Sequence, residues 1–197
     1  MKIVSWNIRG CNSHLKARIL KRKIAGEKPS IMMIQETQCS EESLRKLGDK
    51  IWKGSMTIGS DSNGAAGGMG IWWNPREVCL SNFVATVHSI SAKFHIIGTR
   101  IRSFLTNIYG PFMEGKKQAF IDSLGDIKEW VGSLHWVVGG DFNMIRCLEE
   151  KKGGQIVLRK ISEDFSKKIN ELDMVDLTTT NNLYTWSNKR AADHHIM

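Results

Sequence analysis

Four short β-forming runs each stop on a side chain that can do chemistry, and this punctuation constrains the chain more than any other feature. Lys2 to Ile8 alternates, is rich in β-formers and carries Trp6-Asn7 at its end, and Ser30-Ile31-Met32-Met33-Ile34 stops at Gln35-Glu36-Thr37. Phe104 to Thr106 leads into Asn107-Ile108-Tyr109-Gly110-Pro111, and His135 to Gly139 leads into Gly140-Asp141-Phe142-Asn143. An apolar run without alternation is the pattern of a strand buried on both faces. Strands fix positions while their ends stay open to solvent, so the rim of a sheet is where catalytic groups are commonly held. Each piece alone also has a structural explanation. Asn7 suits a turn, Glu36 a solvated strand end, Asp141-Phe142-Asn143 an Asx-turn and Tyr109-Gly110-Pro111 a strand terminator. Taken together and in this order, they predict one site assembled from an amide, two acids and a phenol.

Between these runs the pattern alternates between helix and strand. His14 to Ala25 places Leu15, Ile19, Leu20 and Ile24 on one helical face, and Pro29 closes that segment. Ser40, followed by Glu41 and Glu42, reads as a helix start with acidic residues favourable to the helix dipole, predicting a short helix to about Asp49. Met69–Trp73, Phe83–His88, Phe94–Arg100 and Phe104–Tyr109 are β-rich and separated by turn residues, which predicts an antiparallel meander. Gly64 to Gly68 precedes the first of them as a hairpin loop; it lacks the Gly-Lys-Ser/Thr ending of a phosphate-binding loop. Phe120, Leu124, Ile127 and Val131 recur at helical spacing, as do Ile161, Phe165, Ile169 and Leu172, and Leu183–Ser187 reads as a last short strand. Strands and helices are mixed without strict alternation, so the expected class is an α+β sandwich, with helices packed outside β-sheets.

A chain of 197 residues, 41% of them hydrophobic, is long enough for one well-packed core, and a single domain over 1–197 is expected. A formal net charge of +8 on so small a domain draws polyanions, with nucleic acid the natural partner, although charge alone also fits any soluble basic protein. Cys11, Cys39, Cys79 and Cys147 have no zinc-type spacing and read as reduced, mostly buried thiols. No run is long enough to span a bilayer and no leader pattern opens the chain, so an intracellular location, nucleus or cytoplasm, and no membrane are expected.

The segments Ser5-Trp6-Asn7, Gln35-Glu36-Thr37, Asn107-x-Tyr109-Gly110-Pro111 and Gly140-Asp141-Phe142-Asn143 resemble, in this order, those of the endonuclease/exonuclease/phosphatase superfamily. That superfamily includes deoxyribonuclease-like nucleases, apurinic endonucleases and the endonuclease domains of non-LTR retrotransposons. Trp6-Asn7-Ile8-Arg9-Gly10 and Tyr184-Thr185-Trp186-Ser187-Asn188 look most like the plant, LINE-type retrotransposon branch. The resemblance implies a four-layer α/β/β/α sandwich of two face-to-face mixed sheets with outer helices. It also implies hydrolysis of a phosphodiester with the help of Mg²⁺, for which Mn²⁺ could substitute. Glu36 would hold the metal with Asn7 close by, since magnesium takes hard oxygen ligands and only one or two carboxylates. Asp141 would orient or deprotonate the attacking water, Asn143 would donate to the phosphate, and Tyr109 would offer its hydroxyl to the phosphate or leaving oxygen, packing being its alternative.

The same resemblance leads one to expect, near the end, an aspartate-bearing strand and a Ser-Asp-His segment. Neither is recognisable before Met197, and Asp193-His194 follows Tyr184-Thr185-Trp186 too closely to be their counterpart. The expectation is therefore a domain incomplete at its C-terminal side, impaired in activity, monomeric, and prone to aggregate through an unpaired sheet edge. Arg9 stands where apurinic endonucleases carry an aspartate; it would contact phosphate or be a solvated loop charge. Lys116, Lys117, Lys151 and Lys152 are candidate backbone contacts for DNA or ordinary surface charges. Trp52, Trp72 and Trp73 suit core packing better than base stacking. Two other readings stay open: a non-catalytic remnant that binds nucleic acid by charge, and a phosphoester phosphatase of the same superfamily.

Overall fold

A computed structural model describes residues 1–63, 66–153, 159–177, 184, 185, 187, 196 and 197. The elements follow in the order β1 (Ile3–Asn7), α1 (His14–Glu27), β2 (Ile31–Gln35), α2 (Glu41–Ile51), β3 (Met56–Asn63), β4 (Ala66–Trp73), β5 (Val78–Ala85), β6 (Ser89–Ile96), β7 (Arg102–Tyr109), α3 (Glu114–Val131), β8 (Trp136–Asp141) and α4 (Arg159–Glu171). They fall into two compact units, one of Met1–Gly110 with Val131–Asp141, the other of Pro111–Trp130 with Phe142–Met197.

The first unit holds both sheets, ordered β1-β2-β4-β3 and β5-β6-β7-β8. Each is mixed in the same way. In the first, β1 pairs parallel with β2 and the other neighbours are antiparallel; in the second, β7 pairs parallel with β8 and the rest are antiparallel. The expected single meander is thus divided. β3 and β4 form a hairpin in one sheet, while β5, β6 and β7 meander in the other. β3 had no apolar signature because it is an edge strand of mostly polar residues, in which Ile58 is buried and Met56 is exposed. β5 begins before the predicted Phe83, and Phe83 and Val84 are exposed beyond a register shift between Ser81 and Phe83. β6 ends at Ile96, leaving Arg100 in the turn that follows.

Strand alternation divides the core into two layers. Ile31 and Met33 of β2, with Ile71 and Trp73 of β4, meet Ile90, Ala92, Phe94 and Leu105 of the second sheet. The intervening Met32, Ile34 and Trp72 turn to the other side, where they meet Leu20 and Ile24 of α1 and Leu44 and Ile51 of α2. β2 is therefore buried on both faces, which is why its sequence is continuously apolar. The fold is an α+β sandwich of two packed mixed sheets with helices.

Local chemistry sets the helix ends. Ser13 caps α1 by accepting from Lys16 N at 3.1 Å, and Ser40 caps α2 by accepting from Ser43 N at 3.3 Å. α1 buries Leu20 and Ile24 but leaves Leu15 and Ile19 exposed at 64% and 39%. At about 100° per residue those two pairs lie on different sides of the helix, so the predicted stripe was too wide to bury whole. In the second unit α3 buries Phe120, Ile121 and Leu124, and α4 buries Ser162, Phe165 and Ile169. There the Phe142 and Phe165 rings lie 5.4 Å apart, and Ser162 Oγ donates to the carbonyls of Ile145 and Arg146. No helix among the described residues is long and apolar enough to cross a membrane. The predicted strand Leu183–Ser187 and the Asp193-His194 pair lie largely or wholly outside the described residues.

Candidate active site

Both parallel strand pairs of the first unit deliver chemistry at their C-terminal ends. Asn7 and Gln35 are register partners at the ends of β1 and β2, and Tyr109 and Asp141 are register partners at the ends of β7 and β8. Glu36 follows β2 directly. The Asn7 carboxamide joins the two pairs: its Nδ2 donates to Glu36 Oε1 at 2.7 Å and to Asp141 Oδ2 at 2.8 Å. Its Oδ1 accepts from the backbone N–H of Arg9 at 3.1 Å. Asn7, Glu36 and Asp141, separated by 29 and 134 positions from Asn7 in the chain, thus share one half-buried cluster.

Tyr109 belongs to the same cluster. Its phenol is pushed up to about 12, first by burial, then by the neighbouring carboxylates of Glu36 and Asp141, with Arg9 opposing. A phenol so placed keeps its proton at neutral pH and remains a donor. His88 Nδ1 lies 3.0 Å from the Tyr109 carbonyl, and the Tyr109 amide donates to His88 O at 2.9 Å. Nothing in the sequence singled out His88, because its part is to hold a backbone.

The loops after β1, β2 and β8 adopt unusual backbone. Arg9 and Glu36 have φ of +49° and +52° in the first unit, and Asn143 has +52° in the second. Left-handed non-glycine residues are uncommon and cluster where surrounding structure holds them for function. Gly140, at φ +143°, lets β8 lie close against β7 just before Asp141: a Cβ there would run into the Ile108 carbonyl oxygen. Behind the rim, Gln35 Nε2 donates to Asn107 Oδ1 at 2.5 Å and to Ser5 Oγ at 3.1 Å, while Asn107 Nδ2 donates to the carbonyls of Ile34 and Gly70 at 3.1 and 3.0 Å. Asn107 therefore ties the second sheet to two strands of the first, immediately beneath the cluster.

Two carboxylates converging on one carboxamide make an anionic, hard-oxygen donor set, which suits a divalent cation that keeps several waters and takes one or two protein carboxylates. Among the described residues no group of three or more His, Cys, Asp or Glu is placed to hold a metal ion. In this conformation Asn7 turns its nitrogen to the acids, so its evident part is to hold them together.

A model of the Endonuclease/Exonuclease/phosphatase family matches residues 4–193, running through both units. The chain belongs to that family. No curated protein matches it by sequence. Among solved structures it is similar to an AP endonuclease from Archaeoglobus fulgidus, with a TM-score of 0.65 and 21% identity over 87% of this chain and 70% of that one. The endonuclease domain of TRAS1, a telomere-specific non-LTR retrotransposon, gives a TM-score of 0.65 and 15% identity over 86% of this chain and 71% of that one. D. rerio TDP2 complexed with single-strand DNA product gives 0.57 and 13% over 88% of this chain and 65% of that one. The chain covers 66% of a humanized form of the same D. rerio protein, so it spans less than two thirds of either TDP2 structure. At these identities the likeness is one of fold.

The remaining predicted site residues are placed as follows. Arg9 is exposed in the loop after β1. Lys116 is exposed in the first turn of α3, whereas Lys117 is 8% exposed with its ammonium 2.6 Å from Glu114. Lys151 is half-buried, and Lys152 is exposed and exchanges backbone hydrogen bonds with Met197. Trp72 and Trp73 are core residues, and Trp52, at the end of α2 and not on a strand, packs partly buried against the helix-side core. Of the cysteines only Cys11 is buried; Cys79 and Cys147 are exposed and Cys39 is intermediate, so the expectation of mostly buried thiols fails.

Proposed function

We propose that this domain hydrolyses phosphodiester bonds of nucleic acid, DNA in the first place, with a divalent cation, Mg²⁺ or Mn²⁺, held by Glu36 with Asn7 close by. The observation that carries this reading is the single Asn7 carboxamide bridging Glu36 and Asp141 from opposite sheets. Bound there, the cation would supply charge stabilisation to the phosphoryl oxygens as negative charge builds in the transition state.

The chain's own residues supply the rest. Glu36 would hold the cation by its carboxylate, with Asn7 fixing that carboxylate against Asp141. Asp141 would orient a water and accept its proton, a contribution on the order of a hundred- to ten-thousand-fold. Tyr109, still protonated at neutral pH, would donate to a phosphoryl or leaving oxygen, and Asn143 would donate to the phosphate. Arg9 and Lys116 would contact the substrate backbone, with Lys151 and Lys152 in the same role; Lys117 is already engaged by Glu114. The net charge of +8 favours a polyanion over a small phosphoester. The Trp6-to-Gly10 opening and the Tyr184-to-Asn188 segment support a plant, LINE-type retrotransposon origin.

A plasmid-nicking assay with Mg²⁺ tests the reading, comparing the chain with Glu36→Ala and Asp141→Ala. Metal-dependent nicking lost in both variants supports it. Binding of DNA without nicking would instead support a non-catalytic nucleic-acid binder, and hydrolysis confined to phosphomonoesters would support a phosphatase.

A further inference from the structure

Behind the carboxylate cluster the two loops that carry it run side by side. Ile8 N donates to Gln35 O at 3.0 Å, Gly10 N to Glu36 O at 2.6 Å and Cys11 N to Thr37 O at 3.0 Å. Asn12 Nδ2 closes the series on Gln38 O at 2.9 Å. At the end of this ladder the Sγ atoms of Cys11 and Cys39 stand 2.8 Å apart. Packing alone accounts for a buried thiol, since Cys11 lies in the helix-side core. Cys39, on the other loop, packs partly buried against the same core and stays partly open to solvent, but packing alone does not require the two sulfurs to stand this close.

We propose that Cys11 and Cys39 are an oxidative modification site, a dithiol that a peroxide closes to a disulfide, clamping the Asn7–Arg9 loop to the loop behind Glu36. Cys39 is the attacking residue. It is the more accessible of the two, and its contact with the Cys11 thiol lowers it to about 7, against the opposing effects of burial and Asp61. The same contact and burial raise Cys11. The thiolate is the nucleophile in such chemistry. The Cys39 thiolate attacks one peroxide oxygen, the O–O bond breaks, and the second oxygen leaves as hydroxide that is protonated to water, giving a sulfenic acid on Cys39. Cys11 sulfur then attacks Cys39 sulfur. The S–O bond breaks, and the departing hydroxide takes the Cys11 proton and leaves as a second water. Each sulfur has lost one electron, and the peroxide has gained two.

Little movement is needed, because the backbones are already zipped together and a disulfide has its sulfurs about 2.05 Å apart. The bond would cross-link positions 28 apart, which restricts the unfolded chain and raises the melting temperature by several degrees, on the order of 5–10 °C. It also draws Cys39, three residues past Glu36, toward Cys11. That consequence rests on the function proposed above: misplacing a catalytic group by about 1 Å can cost up to about a hundredfold, so metal-dependent nicking should fall about tenfold and recover with a thiol reductant.

The test treats the chain with hydrogen peroxide, blocks remaining thiols under denaturing conditions, and maps disulfide-linked peptides. Melting and nicking are followed in the oxidised and re-reduced protein. The expected result is a Cys11–Cys39 peptide, a raised melting temperature and a reversible loss of nicking. Cys11→Ser should leave a sulfenic acid on Cys39 that dimedone traps. Absence of the Cys11–Cys39 peptide while exposed Cys79 and Cys147 are oxidised would overturn the proposal, whatever the activity. A cross-link that leaves nicking unchanged would overturn the control of the site. If neither form nicks, the proposed function fails, while mapping and melting still decide the dithiol.

Discussion

Asn7 and Asn107 are both carboxamides near the end of an apolar strand, within one unit, and they do opposite things. Asn107 is wholly buried, and its donors and acceptor are spent on Gln35 and on the carbonyls of Ile34 and Gly70. Asn7 is half-buried, and its donors are spent on two carboxylates that face the rim. A buried polar group must be satisfied by protein and so becomes part of the scaffold, whereas one at the rim can hold groups that a substrate reaches. The difference between scaffold and chemistry here is depth below the rim, not residue type.

Substitutions should separate the two layers cleanly. The largest effect is expected for Glu36→Ala and Asp141→Ala, each lowering metal-dependent nicking on the order of a hundred- to ten-thousand-fold while the melting temperature moves by only a few degrees. A large loss of stability in both variants would erase the distinction drawn here. Asn107→Ala should show the reverse balance. It leaves buried groups on Gln35, Ile34 and Gly70 without their partner, at a cost on the order of 2–4 kcal/mol, lowering the melting temperature by roughly 5–15 °C. Chemical denaturation with the midpoint compared at equal slope checks this.

Tyr109 sharpens the comparison through pH. Its folded value of about 12 lies above the ordinary 10.0 of a free tyrosine, so the native state holds this proton more tightly than the unfolded chain. The stabilisation it gives is complete below pH 10 and disappears as pH rises to about 12. Melting curves across that window should lose part of their alkaline decline in Tyr109→Phe, and the same variant should nick about tenfold more slowly at neutral pH. Absorbance titration should find one phenol titrating late in the parent and absent in the variant. The smallest effect is expected for the lysines. Lys116→Ala should reduce the salt dependence of DNA binding by about one unit of slope, whereas Lys117→Ala should leave it unchanged because Glu114 already engages that ammonium. Equal slopes for the two would remove the distinction between an available and an occupied cation.

Much of this was legible in the residues. The continuous apolar run of β2 announced a strand covered on both faces, Ser40 with Glu41 and Glu42 announced the start of α2, and of the ordered strand-end polar residues Asn7, Glu36 and Asp141 are brought together. What was illegible follows from edges and from long-range pairing. β3 lacked a pattern because an edge strand buries little, and the meander was divided because alternation looks the same whether the next strand joins the same sheet or the facing one.

The sequence by itself determined which side chains stand at the ends of apolar strands, because burial and strand period are local properties of the chain. Only the tertiary structure decided that Asn7 would bridge Glu36 and Asp141, that Asn107 would lock the two sheets, and that Cys11 would meet Cys39. Each depends on parallel pairing and sheet stacking between segments distant in the chain, on the left-handed backbone at Arg9 and Glu36, and on distances that no local pattern encodes.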